Sequence, residues 1–227
     1  MMEYKNFMGI LNEIGLKFNT DKSSIGHDYL NKYQKYLPFD RVDYIKILEI
    51  GVLQGASVKT WAEYFYNSNV VGIDINQDCK KIESSNISIE IGSQRDSNFL
   101  DFLFSKYNNF DLVIDDGSHI NDDVIFSFEN IFPRMKSGGI YVIEDSCTSY
   151  WDEYGGGLYK KESMIEYFKK RIDESNFFGA RLKKYDSWHF REDSKLMEQF
   201  KSENDYSIGM DIESIMFLNS IIIIFKR

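Results

Sequence analysis

The chain has 227 residues and a formal net charge of −9, and 43% of its residues are hydrophobic. This composition supports a packed core and predicts one domain over residues 1–227, while the acidic charge argues against nucleic acid or an anionic membrane as a partner. Cys79 and Cys147 match no metal or disulfide spacing, and the first residues lack a signal-peptide core, so we expect a cytoplasmic protein with reduced thiols and no membrane span.

Residues 1–42 predict a helical extension. Apolar residues recur at helical spacing over residues 1–18, and a polar loop then leads to a short helix that ends before Pro38. The first helix could pack on a sheet edge or against a second subunit, and the second possibility leads us to expect a homo-oligomer. The loop contains His27 and Tyr29, which are candidate substrate contacts unless the loop is simply solvated.

Residues 43–150 alternate between apolar runs of strand length and helical segments. This alternation predicts a parallel, doubly wound α/β sheet. Residues 206–227 hold two further apolar runs separated by two residues, which predicts a closing antiparallel hairpin and a sheet of seven strands. The predicted strands are 45–50, 70–75, 87–91, 111–115, 139–145, 211–218 and 221–226.

Residues 151–205 have a different texture and predict an insert that serves as a lid or substrate wall. Three consecutive glycines occur at 155–157, and one amphipathic helix is predicted near 162–173. Tyr150 and Trp151 lie at the start of this region, where they either pack internally or form an apolar wall against a ligand.

Carboxylates and a histidine follow the fourth and fifth predicted strands. Asp115 and Asp116 end one strand, with His119 three residues later, and Glu144 and Asp145 end the next. If these strands are neighbours, Asp116, Glu144 and Asp145 converge at the carboxyl end of the sheet, where open α/β sheets bind ligands. Three carboxylates repel one another unless a cation is bound, and hard divalent cations prefer oxygen ligands. We therefore expect a metal site with His119 as an adjacent base, although Asp145 could instead cap the following helix.

The first predicted strand and its turn contain Glu49, Gly51 and Gly55, and Asp74 ends the second strand. Glycines here let a ligand approach the backbone, and a carboxylate at the end of the second strand can accept both ribose hydroxyls. The turn lacks the two close glycines that make room for a pyrophosphate, so a nucleoside without one fits better. S-adenosylmethionine is such a ligand, and the terminal hairpin favours the same cofactor. The alternative is an ordinary tight turn of an α/β protein.

Other contacts to this cofactor are predicted from position. Ser93, Gln94 and Asp96 follow the third strand and would lie near the adenine. Asp115 and Glu49 are candidates for contacts to the methionine part.

Several motifs considered together resemble one known family. They are Thr20-Asp-Lys22 with His27 and Tyr29, Leu48-Glu-Ile-Gly-Val52, Gly72-Ile-Asp74, Asp115-Asp-Gly-Ser-His119, Phe132-Pro133 with Gly138-Gly139, Val142-Ile-Glu-Asp145 and Thr148-Ser-Tyr-Trp151. The combination resembles the metal-dependent, S-adenosylmethionine-dependent O-methyltransferases of the macrocin and mycinamicin type, which methylate sugar hydroxyls on macrolides. Cephalosporin-hydroxylase-related and noviose O-methyltransferases are more distantly similar. The resemblance covers residues 19–151 and, loosely, the final hairpin, whereas residues 155–205 match no family.

The resemblance implies a class I methyltransferase fold, Rossmann-like, and an enzyme that methylates a sugar hydroxyl, whether the sugar is free, nucleotide-linked or part of a glycoconjugate. By this resemblance Asp116, Glu144 and Asp145 bind Mg²⁺, and His119 is the general base. The metal would lower the pKa of the hydroxyl and orient its oxygen, and the imidazole would take the proton. A non-sugar hydroxyl such as a catechol remains an alternative acceptor. A noncatalytic S-adenosylmethionine-binding module is a second alternative, against which the intact carboxylates argue.

Overall fold

The structure is a computed structural model, and it describes residues 9–176 and 207–227. The chain divides into two compact units, Met1–Gly117 and Ser118–Arg227. The structure contains seven strands and six α-helices within the described residues.

The first unit is built around four parallel strands. These are β1 (Lys46–Ile50), β2 (Asn69–Asp74), β3 (Ile87–Ile91) and β4 (Leu112–Asp115). β1 pairs with both β2 and β4, and β2 pairs with β3. The strands are rich in isoleucine and valine and are largely buried, as expected for parallel strands that are covered on both faces.

Four helices belong to this unit, namely α1 (Ile10–Phe18), α2 (Tyr29–Tyr36), α3 (Ala56–Tyr64) and α4 (Ser97–Tyr107). α1 contacts α2 and α3, and the rings of Tyr33 and Trp61 meet edge to face with centroids 5.0 Å apart. The predicted helical extension is therefore confirmed from Ile10 onwards, while residues 1–8 lie outside the described part. A 3₁₀ helix, Gln77–Ile82, follows β2 and is not predicted by the sequence.

The second unit contains β5 (Ile140–Glu144), β6 (Ile212–Leu218) and β7 (Ile221–Lys226), together with α5 (Asn121–Ile131) and α6 (Met164–Ser175). β7 pairs antiparallel with both β5 and β6. In the core of this unit the Phe128 ring stacks on Phe132 and meets Tyr141 and Phe168 edge to face. The closing hairpin is confirmed, and Ser220 in its turn has a positive φ of 59°.

The strand order of the sheet is β3-β2-β1-β4-β5-β7-β6. This order confirms the predicted mostly parallel, seven-stranded α/β sheet with a C-terminal antiparallel hairpin. Of the insert at 151–205, the structure describes residues up to 176, which include α6, and the remainder lies outside the described residues. The division of the chain into a single domain with these segments stays a prediction. Among the described residues no helix is both long and apolar enough to cross a membrane.

Candidate active site

The turn after β1 closely approaches the end of β4. Gly51 has a φ of 90°, and a Cβ atom at this position would lie 2.1 Å from the carbonyl oxygen of Asp116. Gly55 has a φ of 77° and is the N-cap residue of α3. Glycine adopts this conformation without the strain that a side chain would cause. Both predicted glycines are therefore required by the backbone path of the turn.

Asp74, the last residue of β2, is hydrogen-bonded to this turn. Its Oδ2 accepts the backbone N–H groups of Val52 at 2.9 Å and Leu53 at 3.0 Å, and its Oδ1 accepts that of Asn76 at 2.8 Å. Burial acts to raise the pKa of Asp74, but the backbone hydrogen bonds outweigh it and hold the pKa below its ordinary value. Asp74 is thus ionised at neutral pH, and both of its carboxylate oxygens hold the turn.

A buried ionic cluster links β1, β4 and the loop before α2. The Ser57 hydroxyl donates a hydrogen bond to Oε1 of Glu49, and Nζ of Lys22 lies 3.8 Å from the same oxygen. Lys22 also donates a hydrogen bond to Oδ2 of Asp116. Burial raises the pKa of Glu49 to about 7, although Lys22 and Ser57 act to lower it. A side-chain hydrogen bond from Trp61 also acts to lower the pKa of Glu49.

The segment after β3 has mainly local roles in this structure. The Asp96 carboxylate accepts hydrogen bonds from two backbone N–H groups in the first turn of α4, and the Ser93 hydroxyl accepts one from the backbone N–H of Arg95. Gln94 is buried and donates a hydrogen bond of 3.3 Å to Oδ1 of Asp115, next to the closely packed Gly117. The segment therefore reaches the end of β4 through Gln94, and its contacts to a cofactor stay a prediction.

His119 and Asp145 share an unusual backbone conformation. Both are left-handed, with φ values of 58° and 50°, and the Thr148 hydroxyl lies 3.1 Å and 2.9 Å from their respective carbonyl oxygens. Nε2 of His119 lies 3.6 Å from Oδ2 of Asp145, which is longer than a normal hydrogen bond. The Asp145 side chain makes no capping bond to the following helix, so the capping alternative is not supported. Such conformations in non-glycine residues cluster at functional sites.

A buried asparagine fixes the segment that follows β5. Nδ2 of Asn121 donates to the carbonyl oxygens of Thr148 at 3.3 Å and Tyr154 at 2.8 Å, and its Oδ1 accepts the N–H of the first residue of α6 at 2.6 Å. The segment leaves Tyr150 and Trp151 44% and 46% exposed. It is therefore held by a buried side chain while it presents two aromatic rings at the surface.

Asp116, His119 and Asp145 each offer one ligand atom, and the three atoms lie within 4.8 Å of one another. Two carboxylates and an imidazole form a donor set that fits a divalent cation, and the carboxylates suit Mg²⁺. Glu144 is buried as the last residue of β5 and is not part of this group. The structure thus brings together three of the four residues predicted for the metal and base, and the metal role of Glu144 stays a prediction.

The two candidate substrate residues of the N-terminal loop differ in exposure. Tyr29 is buried, whereas His27 is exposed, and their ring centroids lie 5.1 Å apart. Only His27 of this pair therefore offers its side chain at the surface.

Comparisons with known proteins agree with the sequence motifs. A family model described as a methyltransferase domain matches residues 48–146. Demethylmacrocin O-methyltransferase of Streptomyces fradiae is 37% identical over 153 residues, which are 64% of this chain and 38% of the relative. The 8-demethyl-8-alpha-L-rhamnosyl tetracenomycin-C 2'-O-methyltransferase of Streptomyces olivaceus is 34% identical over 166 residues, which are 70% of this chain and 43% of the relative.

A solved structure extends this similarity over nearly the whole chain. The MycE methyltransferase of the mycinamycin biosynthetic pathway, in complex with Mg, SAH and mycinamycin VI, matches with a TM-score of 0.78 and 27% identity, covering 95% of this chain and 53% of that chain. This chain spans about two fifths of the length of the curated relatives it matches and about half of MycE. The chain therefore has the class I methyltransferase fold, and its resemblance to the macrocin and mycinamicin type of sugar O-methyltransferase is confirmed.

Proposed function

We propose that this chain transfers a methyl group from S-adenosylmethionine to a sugar hydroxyl in an Mg²⁺-dependent reaction. The main support is the group formed by Asp116, His119 and Asp145, whose ligand atoms lie within 4.8 Å of one another. Support for the acceptor class comes from the relatives, one of which is named for methylation of a rhamnosyl tetracenomycin. The acceptor is thus expected to be a sugar or glycoside.

Residues at the ends of β1 and β2 would hold the cofactor. Asp74 would accept the ribose hydroxyls, and the glycine turn would let the cofactor approach the backbone. Glu49, at the end of β1, would contact the ammonium of the methionine part. Gln94 and Asp115 would lie near this bound cofactor. The cofactor itself supplies the electrophilic methyl group.

Residues at the ends of β4 and β5 would perform the acid–base chemistry. Asp116 and Asp145 would hold Mg²⁺, with Glu144 as the third predicted carboxylate, and the bound ion would lower the pKa of the acceptor hydroxyl and orient its oxygen. His119 would take the hydroxyl proton at Nε2, and the Asp145 carboxylate 3.6 Å away would stabilise the resulting imidazolium. The Thr148 hydroxyl would keep the backbone of both residues in place.

Surface aromatic residues would position the sugar. Tyr150 and Trp151 are partly exposed and would form an apolar wall against the ring, while the exposed His27 would contribute a polar contact. Because a sugar ring has apolar C–H faces and polar edges, this combination suits it better than either kind of contact alone.

We also propose a cytoplasmic location and a homo-oligomeric state. The free thiols of Cys79 and Cys147 support the first, because disulfides are rare in reducing compartments. The second is supported by α1, whose Ile10 side chain is exposed. Light scattering on the protein as it elutes from a size-exclusion column would measure the oligomeric state directly.

Transfer of a labelled methyl group from S-adenosylmethionine to a panel of nucleotide sugars, glycosides and catechols tests this function. We expect transfer to sugar hydroxyls that requires Mg²⁺ and stops with a chelator. Asp116→Asn should lose most of the activity, whereas Asp101→Asn, an exposed carboxylate on α4, should retain it. Transfer that is insensitive to the chelator would contradict the metal mechanism, and transfer to catechols alone would contradict the sugar acceptor.

A further inference from the structure

A lysine in the loop before α2 is almost completely buried. Lys22 is 2% exposed, although lysine side chains are rarely buried unless their charge is paired. Its backbone is held on both sides: the carbonyl accepts the N–H of Leu30 at 3.0 Å, and its N–H donates to Oγ1 of Thr20 at 3.4 Å. The loop therefore places this ammonium inside the first unit at a defined position.

The ammonium of Lys22 meets two carboxylates of different strands. It donates a hydrogen bond to Oδ2 of Asp116, which directly follows β4, and it lies 3.8 Å from Oε1 of Glu49 in β1. Glu49 is fully buried, whereas the side chain of Asp116 is 24% exposed. Lys22 thus satisfies an oxygen of the carboxylate that the proposed function assigns to the metal.

We propose that Lys22 is a positioning residue that holds Asp116 in the metal-free protein and competes with the divalent cation for the same carboxylate. This inference rests on the metal role of Asp116 in the proposed function. Without a cation the ammonium keeps the Asp116 side chain at the end of β4 and balances part of the charge of Glu49. An incoming divalent cation takes over Asp116, and it is repelled by the nearby ammonium.

Lys22→Met separates this role from a merely structural one, because the two roles predict different effects on metal binding. The substitution removes the charge and keeps an apolar stem of similar length. Whether Lys22 competes with the metal or has only a structural role, the metal-free variant should unfold at a lower urea concentration, because two carboxylates lose their cation. The proposed competition adds a second effect of opposite direction: the Kd for Mg²⁺ should fall about tenfold, because a positive charge near the site is gone.

Two controls make the comparison specific. Lys17→Met removes the same charge from an exposed ion pair with Glu63 and should leave the Kd for Mg²⁺ unchanged. In a double-mutant cycle, the destabilisation caused by Lys22→Met should shrink when Asp116 is already Asn, because the partner of the ammonium has lost its charge. Additive effects would show that Lys22 does not act on Asp116.

A measurement on the wild-type protein covers the case in which Lys22→Met does not fold. Acetylation of lysine amines, followed residue by residue with mass spectrometry, should become faster at Lys22 when Mg²⁺ is added, because the metal takes Asp116, one of the two carboxylates that hold the amine. Lys17 should react at the same rate with and without the metal. A rate at Lys22 that does not respond to Mg²⁺ would overturn the competition.

Calorimetry with Mg²⁺ alone distinguishes this inference from the function on which it rests. If the wild type binds Mg²⁺ and Lys22→Met binds it with equal or weaker affinity, the role of Lys22 is wrong and the proposed function stands. If the wild type binds no Mg²⁺, both the metal mechanism and the competition are wrong.

Discussion

Replacement of Glu49 by Gln tests the buried ionic cluster through the pH dependence of stability. Burial raises the pKa of Glu49 from its ordinary value of 4.5 to about 7, despite the opposing effects of Lys22 and Ser57. Between these two pH values the folded protein keeps a proton on Glu49 that the unfolded chain has released. The free energy of unfolding therefore falls as the pH rises through this window, and the loss amounts to about 3 kcal/mol.

Urea unfolding of the metal-free wild type and of Glu49→Gln, measured from about pH 4.5 to about pH 8, isolates this contribution. Glutamine has nearly the same shape as glutamate and does not titrate. As the pH rises over this range, the free energy of unfolding of the variant should therefore increase by up to about 3 kcal/mol relative to that of the wild type. Glu63→Gln, in an exposed ion pair with Lys17, serves as the control and should follow the wild type in parallel. If the difference between Glu49→Gln and the wild type does not change with pH, burial does not govern the protonation of Glu49 and the account of the cluster is wrong.

Three further substitutions test the proposed cofactor, base and segment contacts. His119→Ala should lower methyl transfer by about 10²- to 10⁴-fold while the calorimetric affinity for S-adenosylhomocysteine is kept, because the imidazole acts on the acceptor proton; a loss of cofactor binding would assign His119 to another role. Asp74→Asn should weaken binding of S-adenosylhomocysteine, because the turn uses both carboxylate oxygens and asparagine offers one acceptor, whereas Asp78→Asn at an exposed neighbouring site should bind like the wild type. Equal affinity in both variants would refute the cofactor role of Asp74. Asn121→Ala should lower the free energy of unfolding in urea by about 1–3 kcal/mol, because buried backbone groups lose their hydrogen-bond partners. The control Asn130→Ala removes one hydrogen bond within α5 and should lower the free energy of unfolding by less. Equal effects of the two substitutions would contradict the importance of the Asn121 contacts.

The strands of this protein are predictable from sequence because their pattern is local. Runs of isoleucine and valine bounded by polar residues mark both the parallel strands and the closing hairpin, and these residues are buried as expected. The 3₁₀ helix Gln77–Ile82 is not predictable in this way. It is short and polar, and only Cys79 within it is buried, so no apolar periodicity signals it.

The candidate site is only partly predictable, because its supporting contacts are tertiary. Carboxylates at strand ends follow from the chain order and the rules of parallel sheets. The bond between Lys22 and Asp116 joins residues 94 positions apart, and no local pattern indicates it. A buried polar loop residue such as Lys22 or a hydroxyl such as Thr148 becomes recognisable only when its partners are known.

The exposure of single side chains is also not predictable from the sequence. Tyr29 and His27 are two positions apart in the sequence, yet Tyr29 begins α2 and is buried while His27 lies in the preceding turn and is exposed. Likewise Glu144 is buried at the end of β5 while the adjacent Asp145 joins the group with Asp116 and His119. Differences of this kind depend on which way a backbone turns after a strand ends.

The proposed cofactor site is tested most directly by calorimetric titration of S-adenosylhomocysteine into the purified chain, once with Mg²⁺ and once with a chelator. We predict binding under both conditions, because the contacts proposed for the cofactor come from Glu49, Asp74 and the glycine turn and do not include the metal. The absence of binding under both conditions would contradict the proposal that this chain is a methyltransferase.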